Sequence, residues 1–355
     1  MYRILVINPG AGSTKIGLFE DERKIREREL RHDPEELRKY ETTIDQLEMR
    51  EKAVLDFLRE EGLEPSELHA VIGRGGAFKP LQGGIYRVNE RLISDIKEGK
   101  VQADHPSNLG ALIAHKLASP HGIPAFFADP VSVDEFDEIS RLSGLPELPR
   151  LSLSHALNTK YVAKKVAASK GKRYEEMNMI VAHLGTGISI SPHRKGKMFD
   201  VNNANDGGPF SPQRAGTLPT TGLIKLSFSG KYSKKELLKR VTREAGLLAY
   251  LGTDDLRKVE ERIEAGDGEA RLVYDAMVYQ IAKEIGAMAA ALRGEVDVII
   301  LTGGMARSPK IVRDIEGYIS WIAPVEVIPG ENELEALAYA ALRALKGLEE
   351  PKEYV

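Results

Sequence analysis

Residues able to do chemistry gather at two glycine-rich turns and at a few isolated positions. The first turn is Asn8-Pro9-Gly10-Ala11-Gly12-Ser13-Thr14-Lys15. Gly10 and Gly12 let the backbone come close to a ligand with its N–H groups exposed. Ser13, Thr14 and Lys15 add two hydroxyls and a cation, and the set suits a polyphosphate. The second turn is His183-Leu184-Gly185-Thr186-Gly187. Elsewhere, Arg74 stands between the apolar run Ala70-Val71-Ile72-Gly73 and the pair Gly75-Gly76. Asp129 precedes Pro130 at the end of the apolar run from Ile123 to Ala128.

Both turns join strand to strand. Apolar residues Ile4 to Ile7 enter the first, and the alternating run Lys15 to Phe19 leaves it. A Walker loop would open a helix with Gly-Lys-Ser/Thr, and a dinucleotide fingerprint needs a third glycine where Lys15 stands. Neither applies. Taken alone, an ordinary tight hairpin explains the first turn as well as a phosphate site does.

The elements around the turns repeat. In the first half, Lys24 to Leu30 reads as a third strand, and Ile44, Leu47, Val54, Leu55 and Leu58 mark an amphipathic helix. The strand Ala70 to Gly73, a helix over Ser107 to Ala118 and the strand Ile123 to Ala128 follow. In the second half, Met179 to His183 and Ile188 to Ser191 flank the glycine turn. Arg194 to Lys197 forms a basic turn, and Met198 to Val201 a third strand. A long helix through Val273, Met277, Ile281, Ile285 and Met288 leads to the strand Val296 to Leu301, which runs into Gly303-Gly304. A helix over Lys310 to Trp321, a strand Val325 to Ile328 and a last helix Glu331 to Leu345 complete it. The shared order β-β-β-α-β-α-β predicts two similar α/β domains facing a cleft. The expected boundaries are 1–150, to which 331–355 returns, and 151–330, with the Pro- and Leu-rich stretch 143–149 as the crossing.

Composition narrows the function. The 355 residues suffice for two domains. A net charge of −3 gives no cationic field for nucleic acid or an anionic membrane. Cysteine is absent, which removes disulfides, thiolate catalysis and Cys-ligated metals. No apolar run approaches the ~20 residues of a membrane span, and no signal-peptide pattern is present, so a cytoplasmic protein is expected. Lys231 to Arg240 reads as a solvated helix face. His32, His69, His105, His115, His121 and His193 show no metal-ligand spacing.

Over nearly its whole length the chain resembles the acetate and propionate kinase family, within the sugar kinase–heat-shock–actin superfamily. The two glycine turns resemble that superfamily's phosphate hairpins, and Leu301-Thr302-Gly303-Gly304 its adenosine loop. Asn8, where the wider superfamily has Asp, is an acyl-kinase feature. The pieces Gly73-Arg74-Gly75-Gly76, Asp206-Gly207-Gly208-Pro209-Phe210-Ser211-Pro212 and Arg214-Ala215-Gly216-Thr217-Leu218-Pro219 resemble the branch acting on butyrate and branched short fatty acids. The resemblance implies a duplicated actin-like ATPase fold, two ribonuclease H-like α/β domains flanking a cleft. It implies ATP/ADP and Mg2+ as cofactors, a small carboxylate as substrate, and a homo-oligomer.

Carried over residue by residue, Arg74 matches an arginine on the substrate carboxylate. Asp129 and Glu333 match carboxylates linked to magnesium. His155 matches a histidine on the transferring phosphoryl, and His183 another active-site histidine. Asp255 matches an acid on the adenosine side. Asn8, Gly10, Gly12, Ser13, Thr14, Lys15, Gly185, Thr186, Gly187, Gly303 and Gly304 fall in the nucleotide loops. Two departures stand out. Leu218 replaces the arginine of the Gly-Thr-Arg piece in acetate kinases, and Thr186 replaces an asparagine. Arg214 is the expected substitute cation.

The acceptor, a carboxylate with a pKa near ~4–5, is ionised at neutral pH and needs no general base. Arg74 would neutralise it, while Lys15, His155, His183, magnesium and hairpin N–H groups would meet the phosphoryl charge. The competing readings are acetate or propionate as acceptor, or an actin-like ATPase module with no acyl chemistry.

Overall fold

A computed structural model describes all residues, 1–355. The chain divides into two compact units. The first comprises Met1–Asp134, Ala156–Tyr161 and Asn332–Val355, and the second Glu135–His155 and Val162–Glu331. The stretch 143–149 lies inside the second unit, so the first passage between units comes earlier than that stretch.

The first unit is built on a six-stranded sheet. Its strands are β1 (Arg3–Pro9), β2 (Ser13–Glu20), β3 (Arg23–Arg31), β4 (Ala70–Arg74), β5 (Ile85–Arg87) and β6 (Ala125–Ala128), in the order β3-β2-β1-β4-β6-β5. β1 pairs antiparallel with β2 and parallel with β4. Ile4 to Ile7 are fully buried because β1 is covered on both faces. Leu5, Ile7 and Val71 pack with Phe57, Leu58, Leu109 and Leu112, from the helices Leu47–Glu60 and Asn108–Ala118. Ile4, Val6 and Ile72 pack on the other face with Leu334, Leu337 and Ala341 of the helix Glu333–Leu345. A Cβ on Gly73 would lie 2.0 Å from the Gly110 carbonyl oxygen. Only glycine lets β4 press this closely on the helix, and that approach fixes where Arg74 emerges.

The second unit repeats the plan. Its strands are β7 (Asn178–Leu184), β8 (Ile188–Arg194), β9 (Lys197–Met198), β10 (Val298–Gly303) and β11 (Val325–Pro329), in the order β11-β10-β7-β8-β9. Read from β9, this matches β3-β2-β1-β4-β6 strand for strand, with the same parallel and antiparallel pairings. β5, antiparallel to β6, is the addition in the first unit. The helices Gly268–Ala291 and Pro309–Ile319 supply the core against β7, β8 and β10.

The third strand of this unit differs from its expected span of Met198 to Val201. It is only two residues long, and the turn before it is Lys195-Gly196, both with positive φ. Two successive left-handed residues make a tight turn that draws Arg194 and Lys197 into the ladder. Two helices, Thr220–Ser227 and Lys234–Arg243, have no fully buried residue; Leu223, Leu226 and Leu237 are half-buried. No helix is long and apolar enough to cross a membrane.

Candidate active site

In the first unit, Asn8 pairs with Lys15 and Pro9 with Thr14 across the β1–β2 turn. The turn is closed by Gly10 N–H donating to Ser13 O at 2.8 Å. The N–H groups of Ala11 and Gly12 meet no acceptor within the chain. Beside the turn is a cavity of about 260 Å³ lined by Asn8, Pro9, Gly10, Ser13, Lys15, Arg74, His105, Ser107, Val131 and Glu333.

Arg74 and Glu333 form an ion pair at the cavity, through Nη1 and Oε1. Asn8 Nδ2 donates to Glu333 Oε2 at 2.6 Å. Burial alone would raise the Glu333 carboxyl, but Arg74, the Asn8 amide and the nearby Lys15 charge hold it below the usual carboxylate range. Arg74 is only 14 % exposed, and its Nε is buried with no hydrogen-bond partner. A buried donor of this kind is costly unless a ligand completes it. Lys15 has no carboxylate within ion-pair distance.

His105 and Ser107 also line the cavity, although nothing in the sequence marks them as ligands. Burial first, and the Arg74 charge second, push the His105 imidazole below its ordinary pKa. Ser107 N–H donates to His105 Nδ1 at 3.2 Å, and Ser107 Oγ lies 2.8 Å from the same nitrogen. The available signal is the order His105-Pro106-Ser107-Asn108 immediately before an apolar helix, which marks a helix start facing the end of β4.

Three expected residues lie elsewhere in this unit. Gly12 is exposed at the turn tip and does not line the cavity. Thr14 is fully buried; its hydroxyl accepts from Arg50 Nη1 at 3.0 Å and lies 2.9 Å from His32 Nε2. Asp129 follows β6 and is also absent from the cavity lining. Its Oδ1 accepts from Gly84 N–H at 2.7 Å, and its own N–H donates to Gly84 O at 3.0 Å. Its φ of 37° is positive, a conformation that Asp adopts more readily than most side chains. No group of three or more His, Cys, Asp or Glu gathers at metal-binding distance.

In the second unit, the β7–β8 turn is closed by Gly185 N–H donating to Gly187 O at 3.2 Å. The Arg214 guanidinium lies against Gly187, where a Cβ would come within 2.6 Å of its Cζ and Nη1. Ser211 sets Arg214 in place: its hydroxyl donates to Thr186 O at 2.5 Å and accepts from Arg214 N–H at 3.1 Å. Burial, then the Arg243 charge, lowers the Arg214 pKa, which favours an anion beside it. His155 and His183 stack with centroids 3.9 Å apart and planes 10° off parallel. His155 Nδ1 lies 2.8 Å from Ser189 Oγ.

A groove of about 450 Å³ in this unit is lined by Gly185, Thr186, Asp255, Arg257, Gly304, Ser308 and Glu331, among others. Two helices begin at it. Asp255 caps Leu256–Glu264, accepting from Arg257 N–H at 3.0 Å, and Ser308 caps Pro309–Ile319, accepting from Ile311 N–H at 3.3 Å. Such N-termini favour anions. Hydrogen bonds from the Arg257 side chain hold the Asp255 carboxyl below its ordinary pKa. Gly303, at φ +89°, packs so closely that a Cβ would lie 2.4 Å from Leu184 O. It exchanges backbone hydrogen bonds with Gly330 at 3.1 and 2.8 Å. Leu218 lies away from these groups, in an apolar groove with Phe210, Tyr250 and Leu272.

Residues 152–319 match the acetokinase family profile. A Clostridium botulinum protein named "Probable butyrate kinase" is 50% identical over 354 residues, 99% of each chain. "Probable butyrate kinase 2" of Caldanaerobacter subterraneus subsp. tengcongensis is 49% identical over 354 residues, covering 100% of both. Among solved structures, Porphyromonas gingivalis acetate kinase superposes with a TM-score of 0.79 at 20% identity, over 98% of this chain and 100% of that one. The fold is therefore the duplicated actin-like ATPase fold of those kinases.

Proposed function

The chain belongs to the acetokinase family, and on that premise we propose that it transfers the γ-phosphoryl of ATP reversibly to the carboxylate of butyrate, giving butyryl phosphate and ADP. Isobutyrate and other branched short acids fall within the same reading. The observation that carries it is Arg74: a cavity arginine with a buried, unpartnered Nε, next to a hairpin whose tip amides are also unpartnered. A carboxylate can complete the first and phosphate oxygens the second.

The chemistry needs positioning and charge neutralisation more than proton transfer. Arg74 orients the acceptor, already ionised at neutral pH. Lys15 and the Ala11 and Gly12 amides receive phosphate charge in the first unit. In the second, Arg214, His155 and His183 receive it at the Gly185–Gly187 turn, and the groove with Asp255 and Gly304 takes the adenosine. Glu333 and Asp129 would serve magnesium from separate places rather than as a full protein cage, leaving phosphates and water to supply most of its ligands. When bound, it would neutralise phosphate charge.

A cytoplasmic homo-oligomer completes the reading. The helices Thr220–Ser227 and Lys234–Arg243 have no fully buried residue, and Phe228 is 88 % exposed, which supports a partner copy covering them. Light scattering should give a mass of at least twice the chain, reduced in Phe228→Glu; a wild-type mass of one chain would refute it. Acetate or propionate as preferred acceptor is the second reading; against it stand Leu218, where acetate kinases have an arginine, and the Gly73-Arg74-Gly75-Gly76 piece. The functional test is hydroxylamine trapping of acyl phosphate with ATP, magnesium and acids from acetate to valerate. The hydroxamate yield should peak at butyrate. A peak at acetate would favour the second reading, and ATP turnover without hydroxamate an ATPase module.

A further inference from the structure

Arg50, on the helix Leu47–Glu60, is fully buried, yet no carboxylate lies within ion-pair distance of it. Its guanidinium is spent on the underside of the first hairpin. Nη1 donates to Ser13 O and Thr14 Oγ1, both at 3.0 Å, and Nη2 reaches Ala11 O at 3.4 Å. Gln46 Oε1 orients the fork, accepting from Nε at 3.1 Å and Nη2 at 2.9 Å. Burial pushes the pKa down to about 10, so the group remains a cation at neutral pH.

A buried charge without a counter-charge is unfavourable, and a nearby anion relieves it. Here the missing anion has an obvious place. Because the peptide unit is planar and trans, drawing the Ala11 carbonyl toward Arg50 turns the Gly12 N–H the other way, out of the hairpin. That N–H and the Ala11 N–H have no acceptor in the chain. We infer that Arg50 is a positioning residue for the nucleotide phosphates, holding the hairpin tip from beneath with its amides outward and placing a fixed positive charge behind them. It touches no substrate; it acts through Ala11, Ser13 and Thr14. The inference rests on the hairpin being a phosphate site.

The test compares wild type with Arg50→Gln, Arg50→Lys and Gln46→Leu. The readouts are kcat, the KM values for ATP and butyrate, and the rise in unfolding midpoint produced by inorganic triphosphate. Arg50→Gln is expected to raise the ATP KM by ~10–100-fold, the scale of a lost hydrogen bond to a charged group. The butyrate KM should stay within about twofold, and the triphosphate-induced rise should vanish. Arg50→Lys, which keeps the charge and loses the fork, should recover part of both. Gln46→Leu, which keeps the charge and frees the fork, should raise the ATP KM alone; if Arg50→Gln fails to fold, these two variants decide. Unchanged ATP KM in the variants that fold, or ATP and butyrate KM rising together, would overturn the inference. A wild type that makes acyl phosphate but loses nothing in Arg50→Gln refutes Arg50 alone. A wild type unmoved by triphosphate and inactive with ATP refutes the phosphate reading beneath it.

Discussion

Replacing Arg74 with alanine should separate the catalytic from the structural use of one side chain. Arg74 is paired with Glu333 in the cavity, and its Nε is left for a ligand. Losing a donor that meets substrate charge in a water-poor site costs ~100- to 1000-fold in turnover. Losing the partner of a buried carboxylate costs ~3–5 kcal/mol in stability. Glu333 keeps its 2.6 Å bond from Asn8 and is 26 % exposed, so the lower end, ~3 kcal/mol, applies. Arg74→Ala should therefore be both slow and less stable. Arg74→Ala combined with Glu333→Gln removes both charges and should regain most of the stability without regaining activity. Hydroxamate formation at saturating butyrate measures the first effect and urea unfolding the second. Wild-type turnover in Arg74→Ala would refute the assignment. Activity recovering along with stability in the double variant would show that Arg74 only shields Glu333.

Three further expectations follow from the geometry. Gly187→Ala should slow turnover by about tenfold or more, because the new Cβ displaces the Arg214 guanidinium, and steady-state kinetics beside Arg214→Ala should show the two falling together. Gly73→Ala meets backbone that cannot yield, 2.0 Å from Gly110 O, and should destabilise the first unit by at least the ~1–3 kcal/mol of an overpacked core, read by denaturant unfolding. The Glu333 carboxyl is lower in the folded protein than its ordinary value of 4.5, so its stabilising share is fully present above that value and is lost as pH falls through the lowered one. Urea midpoints between neutral and acid pH should fall more steeply in wild type than in Glu333→Gln.

Much of this was legible in the sequence because it is local. Gly10 and Gly12, like Gly185 and Gly187, sit between apolar runs that can only be strands, and the repeat of that pattern fixes the shared order of the two sheets. The place of Arg74 at the end of a buried strand was legible from the apolar run before it and the glycines after it. The burial of Thr14 follows from strand alternation: along β2, alternate side chains face opposite ways, so a turn that shows Ser13 and Lys15 to the cavity must turn Thr14 beneath it. The short β9 was hidden because nothing but φ distinguishes Lys195 as a left-handed turn residue from an ordinary surface lysine. Arg50 and His105 were hidden because their partners are brought to them by the fold. Arg50 reaches Ala11 and Ser13 from a distant helix, and His105 meets Arg74 only when β4 presses on the helix Asn108–Ala118.

In the proposed reaction a carboxylate oxygen takes the phosphoryl group directly. Butyrate labelled with 18O at both carboxylate oxygens, incubated with ATP, magnesium and the protein, tests it through the 31P spectrum of the product. The butyryl phosphate resonance should carry the isotope shift of one 18O, in the bridging position, with ADP unlabelled. Unlabelled inorganic phosphate as the sole phosphorus product beside ADP would contradict it.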